Sequence, residues 1–361
     1  LIFPNDWHLA RTFGMAITLA LFAAAGIVLC PGELSASVRS SVSGCLEVVI
    51  PALFALTVLA VYLQKSGLYR TALRPVTKPL SLLLGIPEEL CAVFLLANIG
   101  GYPVGARLLT VMVKNGRLSR RSAAKLLCCC YGSGPSFVIG TAGTVVFGSA
   151  AVGGIIYAAC FLSALVMAVV VCRTGERITL AETSCGCDLS AECFVQSVDS
   201  GARVMYTVCA MAAAFAAVTA LLECSGATRL VGELLRLAGF GGNAERVFPA
   251  FLEVTRIRDM LPGKFAAPLC AGLLSFGGVC VLTQVAAITG GAVPMKRLVA
   301  TRIPAALLSA VFALPAGLID TAREAGTFPP AAEAFSVNAG LSVCVLIMAG
   351  LLTAGGAFRR R

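Results

Sequence analysis

Few residues in this chain are equipped for chemistry, and most of them fall in one stretch, residues 97–140. It opens Ala97-Asn98-Ile99-Gly100-Gly101-Tyr102-Pro103-Val104-Gly105-Ala106-Arg107 and, past a short basic segment, reaches Cys128-Cys129-Cys130-Tyr131-Gly132-Ser133-Gly134-Pro135-Ser136. Asn98, Tyr102 and Ser133 can donate hydrogen bonds, and Arg107 carries a planar charged fork. Far downstream, Gln284 follows Ser275-Phe276-Gly277-Gly278 and adds an amide. This is an inventory for binding rather than catalysis. There is no Ser/His/Asp or Cys/His set and no phosphate loop, and the single histidine is His8, so an enzyme is not expected.

The elements that must position these groups are apolar segments broken by Gly/Pro clusters. Glycine and proline release backbone groups from the helical ladder. In hydrocarbon those groups must still be satisfied, so irregular backbone survives only where protein buries it or where it lines a cavity. Paired broken helices therefore point to a transporter binding site. The competing reading makes the same glycines packing notches or surface turns.

Composition supports the membrane premise. Hydrophobic residues make up 58% and charged residues 13%, with a mean hydropathy of +0.91, whereas a soluble domain is about half apolar and a quarter charged. The expected class is an all-α polytopic membrane protein, and the chain of 361 residues has room for about eight to ten spans and half-spans. The net charge of +10 does not indicate nucleic acid, because the basic residues fall between apolar spans. Of the 16 cysteines, Cys128, Cys129, Cys130, Cys160, Cys209, Cys270 and Cys280 lie in apolar segments and read as small packing residues. Cys185, Cys187 and Cys193 cluster in a polar loop that could hold a metal, but paired zinc spacing is missing. A reduced cytosolic loop is expected there, with no metal and no cofactor.

Along the chain, residues 12–30 read as a retained first span, followed by a short loop at Pro31, Gly32 and Arg39. A second span covers 43–64, and its Glu47 is expected to face the interior or a membrane boundary. A basic linker with Lys65, Arg70, Arg74 and Lys78 comes next. Residues 88–99 and 104–114 read as two half-helices of a re-entrant hairpin turning at 100–103. Ser119 is placed to cap a helix over 120–131, which stops at Gly132-Ser133-Gly134-Pro135 and resumes over 136–147. An ordinary span covers 152–172.

The second half follows the same plan, with a span at 194–222, a partial helix at 230–240 and a hairpin with its tip at Arg256-Ile257-Arg258-Asp259. A broken span at 265–288 and a span at 299–319 follow, then a polar loop at 320–333 and a last span at 336–358. With both termini in the cytoplasm, about 18 of the 28 Lys and Arg fall inside, including an inside loop assigned Lys296, Arg297 and Arg302, in the sense of the positive-inside rule. On this map the span at 43–64 and the span at 194–222 run in opposite directions. The expected organisation is an N-terminal span and loop (1–42), a first repeat (43–172), a cytoplasmic linker (173–193), a second, inverted repeat (194–319) and a C-terminal loop and span (320–361).

The run Gly101-Tyr102-Pro103-Val104-Gly105-Ala106-Arg107 resembles the GYPxGA signature of the YlbJ-like (SpoVV) sporulation integral membrane proteins. These belong with the nucleoside-recognition, or GATE, domain proteins. Gly116-Arg117-Leu118-Ser119, Gly134-Pro135 with Phe137, Gly140-Thr141 with Gly143, and Ser275-Phe276-Gly277-Gly278 with Gln284 agree with it, so the resemblance spans about residues 40–320. The chain departs from the family pattern where Phe251-Leu252-Glu253-Val254-Thr255 runs into Arg256 and Arg258, and at Cys129 and Cys130.

The resemblance implies a fold similar to concentrative nucleoside transporters. It also implies a role in spore formation at a forespore-surrounding membrane, with passage of dipicolinic acid as the activity. The partners it implies are a small-molecule anion, the lipid bilayer, and either a second copy or other sporulation membrane proteins. Dipicolinate is a planar dianion. On this reading Asn98, Gly100, Gly101, Tyr102, Gly105, Ser133, Gly134, Ser136, Gly277, Gly278 and Gln284 form the site, and half-helix N-termini supply free N–H groups. Arg107 grips one carboxylate, while Arg256 and Arg258 meet the second. Blander readings stand beside these. Arg107 could snorkel or pair with Glu88 or Glu89, Arg256 to Asp259 could be an external turn, Asn98 and Gln284 could serve backbone alone, and Tyr102 could be a packed aromatic. Glu47 and Glu253 could bind a proton or cation, or pair structurally. The alternative functions are a carrier of nucleosides or other small polar solutes, and a non-transporting assembly component.

Overall fold

The computed structural model describes residues 24, 27–181, 189–263 and 265–316. Most of the expected first span, the loop holding Cys185 and Cys187, the polar loop at 320–333 and the last span lie outside the described residues. Every regular element among the described residues is a helix.

The first half begins with α1 (Pro31–Gly44), a single π turn (Cys45–Val49) and α2 (Ile50–Ser66). The loop expected at Pro31 is therefore helix, because proline at the first helical position gives up an N–H that has no partner there anyway. Glu47 is exposed in the π turn and accepts a hydrogen bond from Ser43 Oγ at 2.7 Å. The basic linker is also helical, as α3 (Tyr69–Ala72) and α4 (Arg74–Leu84). Between α4 and α5 (Glu88–Gly100) the chain bends by 106°.

One residue, Gly101 (φ 92°), joins α5 to α6 (Tyr102–Lys114), so the turn is tighter than the four residues expected. A side chain would strain that backbone. The two helices lie alongside each other, because Arg117, just past α6, meets Glu89 in the first turn of α5 at 2.6 and 2.8 Å. Ser119 caps α7 (Arg120–Leu127) by accepting from the Ser122 N–H at 3.1 Å, as expected. α7 stops earlier than expected, and residues 128–134 cross the α5–α6 turn without regular structure. Helix resumes as α8 (Pro135–Phe137), continues as a π helix (Val138–Val146), and is followed by α9 (Ala150–Arg173).

The second half is likewise helical. A long helix, α10 (Ala191–Cys224), is followed by α11 (Ala227–Leu237) and α12 (Ala244–Leu252). The chain then turns at Glu253, in extended conformation, into a short 3-10 helix (Val254–Asp259). The expected tip at Arg256–Asp259 is thus displaced, since those residues form the return limb. The base of this fold-back is closed by a reciprocal pair, Asn243 Nδ2 to the Leu261 carbonyl (2.9 Å) and the Leu261 N–H to Asn243 Oδ1 (2.8 Å). A broken helix, α13 (Ala266–Phe276) and α14 (Gly278–Thr289), and a final helix, α15 (Lys296–Phe312), complete the half.

Helices of the two halves pack antiparallel. Ser37 of α1 bonds the Ala216 carbonyl of α10 (3.0 Å), while Lys65 of α2 reaches Gln196 at the other end of α10 (3.0 Å). Likewise Cys160 and Ser163 of α9 meet Ser309 (3.3 Å) and the Ala305 carbonyl (2.8 Å) of α15.

Among the described residues three stretches are long and apolar enough to cross a membrane: α9, α10, and Ala266–Thr289, which comprises α13 and α14. Val299, Ile303, Leu307 and Val311 form an exposed apolar stripe along α15, a face suited to lipid. The chain is an all-α membrane protein. Arg302 corrects the sequence reading outright. Expected in a basic loop, it lies inside α15 and is 1% exposed.

Candidate functional site

Two neighbouring cavities lie where the fold-backs and broken helices converge. The smaller, about 50 Å³, is bordered by the first turn (Gly101, Tyr102), the first break (Gly134), the second turn (Glu253) and α14 (Gln284). Its remaining walls are mostly apolar, with Leu53 of α2, Phe137 of α8 and Val208 of α10 among them, and include the polar Thr255. The larger, about 540 Å³, runs along α1 past Ser37 and Ser40 and shares Glu253 and Thr255 with the first. Its size suits a small ligand.

Two helix starts, at Tyr102 and Val254, border the smaller space, and two more, at Pro135 and Gly278, follow or precede residues that line it. Those at Tyr102, Pro135, Val254 and Gly278 carry no side-chain cap. Uncapped N-termini present N–H groups and the positive end of the helix dipole. The break can approach the turn this closely only because the facing positions lack side chains. A β-carbon on Gly105 would overlap the Cys130 carbonyl oxygen, and one on Gly134 would lie 3.1 Å from the Ile99 carbonyl.

The structure sorts the expected site residues into groups. Gly101, Tyr102, Gly134 and Gln284 line the smaller cavity, and Ser136, Arg256 and Arg258 line the larger. Asn98, Gly100, Gly105, Arg107, Ser133, Gly277 and Gly278 border neither. Asn98 is buried and donates to the Phe94 (2.8 Å) and Cys129 (3.2 Å) carbonyls, so it pins the break to α5. Arg107 pairs with neither Glu88 nor Glu89. Its Nε donates to Ser200 Oγ of α10 at 2.9 Å. Ser133 is buried beside the Tyr102 phenol. Gly277 abuts the Tyr131 hydroxyl, and Gly278 lies against the backbone of the second turn at Val254. The Tyr102 hydroxyl is already committed, donating to the Leu274 carbonyl at 2.5 Å.

Gln284 and Glu253 retain capacity for a ligand. The Gln284 amide donates to the Cys280 sulfur at 3.3 Å, a weak acceptor. The Glu253 carboxylate, 3% exposed, accepts from the Thr255 hydroxyl and faces both cavities. In the larger cavity Arg256 is held loosely, 3.8 Å from Glu223 and 3.4 Å from Asp259, and reaches Ser37 at 3.4 Å. Arg258 donates to Ser40 at 3.0 Å and lies 3.7 Å from Asp259. With Glu33, Glu223 and Glu253 also on this wall, the lining mixes two cations with three carboxylates.

The sequence reading assigned Arg302 to a loop and gave it no part in the site. Its guanidinium donates to the carbonyls of Cys128, Tyr131 (3.5 Å) and Ser275 (3.3 Å), tying the first break to the end of α13, and lies 4.6 Å above the Tyr131 ring. An arginine inside an apolar helix was the available signal. Cys30, Glu33 and Cys224 place potential metal ligands within 4.8 Å of one another beside the larger cavity, away from the cysteine loop considered from sequence. Cys193 of that loop is buried in the first turn of α10.

In comparisons with known proteins, no family model, no curated protein and no solved structure matches this chain.

Proposed function

We propose that this protein is a membrane carrier of a small polar solute, built as an inverted repeat and working by alternating access. One observation carries the reading. Two fold-backs from successive halves meet at one cavity, and helices of those halves pack antiparallel. Binding at the interface of inverted repeats, against half-helix N-termini, is how such carriers hold substrate.

The fold-backs are then re-entrant hairpins. The basic loops gather at one end, where Arg120 bonds the Gly291 carbonyl (2.6 Å), Lys125 those of Thr174 and Glu176 (2.9 and 2.7 Å), and Arg173 that of Leu83. That end is the cytoplasmic one by the positive-inside rule. The larger cavity lies toward the opposite end, by Cys224 and Glu223, and serves as the outward vestibule.

For substrate, Arg256 and Arg258 in the vestibule favour a carboxylate-bearing anion. The resemblance to sporulation membrane proteins extends this to dipicolinate entering the forespore. A second reading, a neutral polar solute such as a nucleoside, is favoured by Glu253 and Gln284, whose carboxylate and amide suit hydroxyl and amide partners. Uptake of labelled dipicolinate into proteoliposomes, with uridine as competitor, tests both. Saturable dipicolinate uptake indifferent to uridine is expected. Uptake that uridine abolishes selects the second reading. No flux of either, with the protein folded and inserted, leaves a non-transporting assembly component of the spore envelope.

A further inference from the structure

Arg302 is a buried charge without an acid. Among the described residues no carboxylate pairs with it, and it is 1% exposed. Its partners are four carbonyl oxygens, those of Cys128 and Tyr131 in the first break, Ser275 in the last turn of α13 and Leu298 one turn back in its own helix (3.3 Å), together with the Thr301 hydroxyl at 3.4 Å. The face of Tyr131 lies 4.6 Å away. The ends of α7 and α13 are both C-terminal ends, where the helix dipole is negative. Two half-helix C-termini and an unwound segment therefore aim their oxygens at one positive charge.

Unwound carbonyls and half-helix C-terminal ends are the groups with which broken-helix carriers coordinate a coupling cation. A bare cluster of this kind is costly to bury unless a cation satisfies it. We propose that the Arg302 guanidinium is a built-in cation, filling with the chain's own charge a carbonyl cluster that would otherwise take a free alkali ion. The two breaks are then held together permanently, and the protein needs no sodium or potassium to complete its site. This inference rests on the carrier reading only for its bearing on transport; the occupancy of the cluster is tested without flux.

The experiment is thermal unfolding of the purified full chain in detergent, comparing wild type, Arg302→Ala, Arg302→Met and Arg302→Lys. Each is measured in choline chloride, sodium chloride, potassium chloride and dilute guanidinium chloride at equal ionic strength. The wild-type midpoint is expected to be the same in choline, sodium and potassium. Arg302→Ala is expected to lose about 5–10 °C in choline and to regain at least half of that loss in guanidinium or one alkali chloride, which fills the vacated cluster. Arg302→Lys should be more stable than Arg302→Met, because charge rather than bulk is required.

A wild-type midpoint raised by sodium or potassium overturns the inference, as does an Arg302→Ala loss that none of the cations restores. Should Arg302→Ala not fold, the Lys–Met comparison and the wild-type salt series decide, and Met matching Lys overturns it. In proteoliposomes the wild type should carry solute at equal rates in choline and sodium. Absence of any flux with the unfolding results as expected would refute the carrier reading and leave the built-in cation standing.

Discussion

Glu89 and Arg117 close the base of the first fold-back with two parallel charge-assisted hydrogen bonds, 2.6 and 2.8 Å, between residues 28 apart in sequence. Their side chains are 10% and 16% exposed, so water competes weakly for the pair. Glu89→Ala removes one partner and strands the other. The expected cost is about 2–4 kcal/mol. Thermal unfolding should show it, and hydrogen exchange should place the lost protection in α6. Protection unchanged in α6 would mean that packing alone holds the two limbs together.

Gly105 offers a sharper steric test. A β-carbon there meets the Cys130 carbonyl, a backbone atom that cannot rotate away. Gly105→Ala must push the first break off α6, at a cost of about 3 kcal/mol, and should impair solute binding with it. Gly154, in α9, has nothing within 4 Å of the same added carbon. Gly154→Ala should be neutral or stabilising by up to about 1 kcal/mol, as helix propensity dictates. Equal effects at the two positions would contradict the close approach seen at Gly105.

This contrast also marks how far the sequence could be read. The turn at Gly101 and the break before Pro135 are legible because glycine and proline act locally. The order of elements in the second half is legible from hydropathy for the same reason. The second turn is misplaced because Arg256 to Asp259 have the polarity of a turn, whereas the chain reverses at Glu253, a residue with no such signature. Arg107 draws notice for its charge next to the glycine motif, yet it reaches Ser200, 93 residues away. Arg302 is assigned to a basic loop for the converse reason. Its partners Cys128, Tyr131 and Ser275 are backbone carbonyls as far as 174 residues off, and carbonyls leave no trace in residue type. The larger cavity is likewise absent from any local pattern, since α1, the helix after the first break, α10 and the second fold-back form it jointly.

Arg256 and Arg258 should matter for binding more than for stability. Their contacts to Glu223 and Asp259 are 3.4 to 3.8 Å long and partly exposed, and such pairs contribute about 1 kcal/mol or less. Arg256→Gln and Arg258→Gln should therefore unfold close to wild type. A carboxylate held by either guanidinium would lose a charge-assisted bond, weakening dipicolinate binding about tenfold for each variant. Raised salt should weaken wild-type binding more than that of the double variant. Unchanged affinity in both variants would remove these arginines from the anion's path.

Glu253 separates the two substrate readings most cleanly, because its carboxylate faces both cavities and the two classes of solute respond to it in opposite directions. To a dianion, a negative Glu253 is a repulsive neighbour at short range, offset by Arg256 and Arg258. Glu253→Gln keeps the size of the side chain and an acceptor for Thr255 while removing the charge. Dipicolinate affinity should then rise by up to about tenfold. A neutral solute whose hydroxyl or amide N–H groups donate to Glu253 loses a charged acceptor instead, so uridine affinity should fall about tenfold. Isothermal titration of both ligands against the purified wild type and Glu253→Gln reads the two signs directly. A fall for dipicolinate would place Glu253, protonated, among the donors that hold the anion. No change for either ligand would move the binding site out of the space between the two turns.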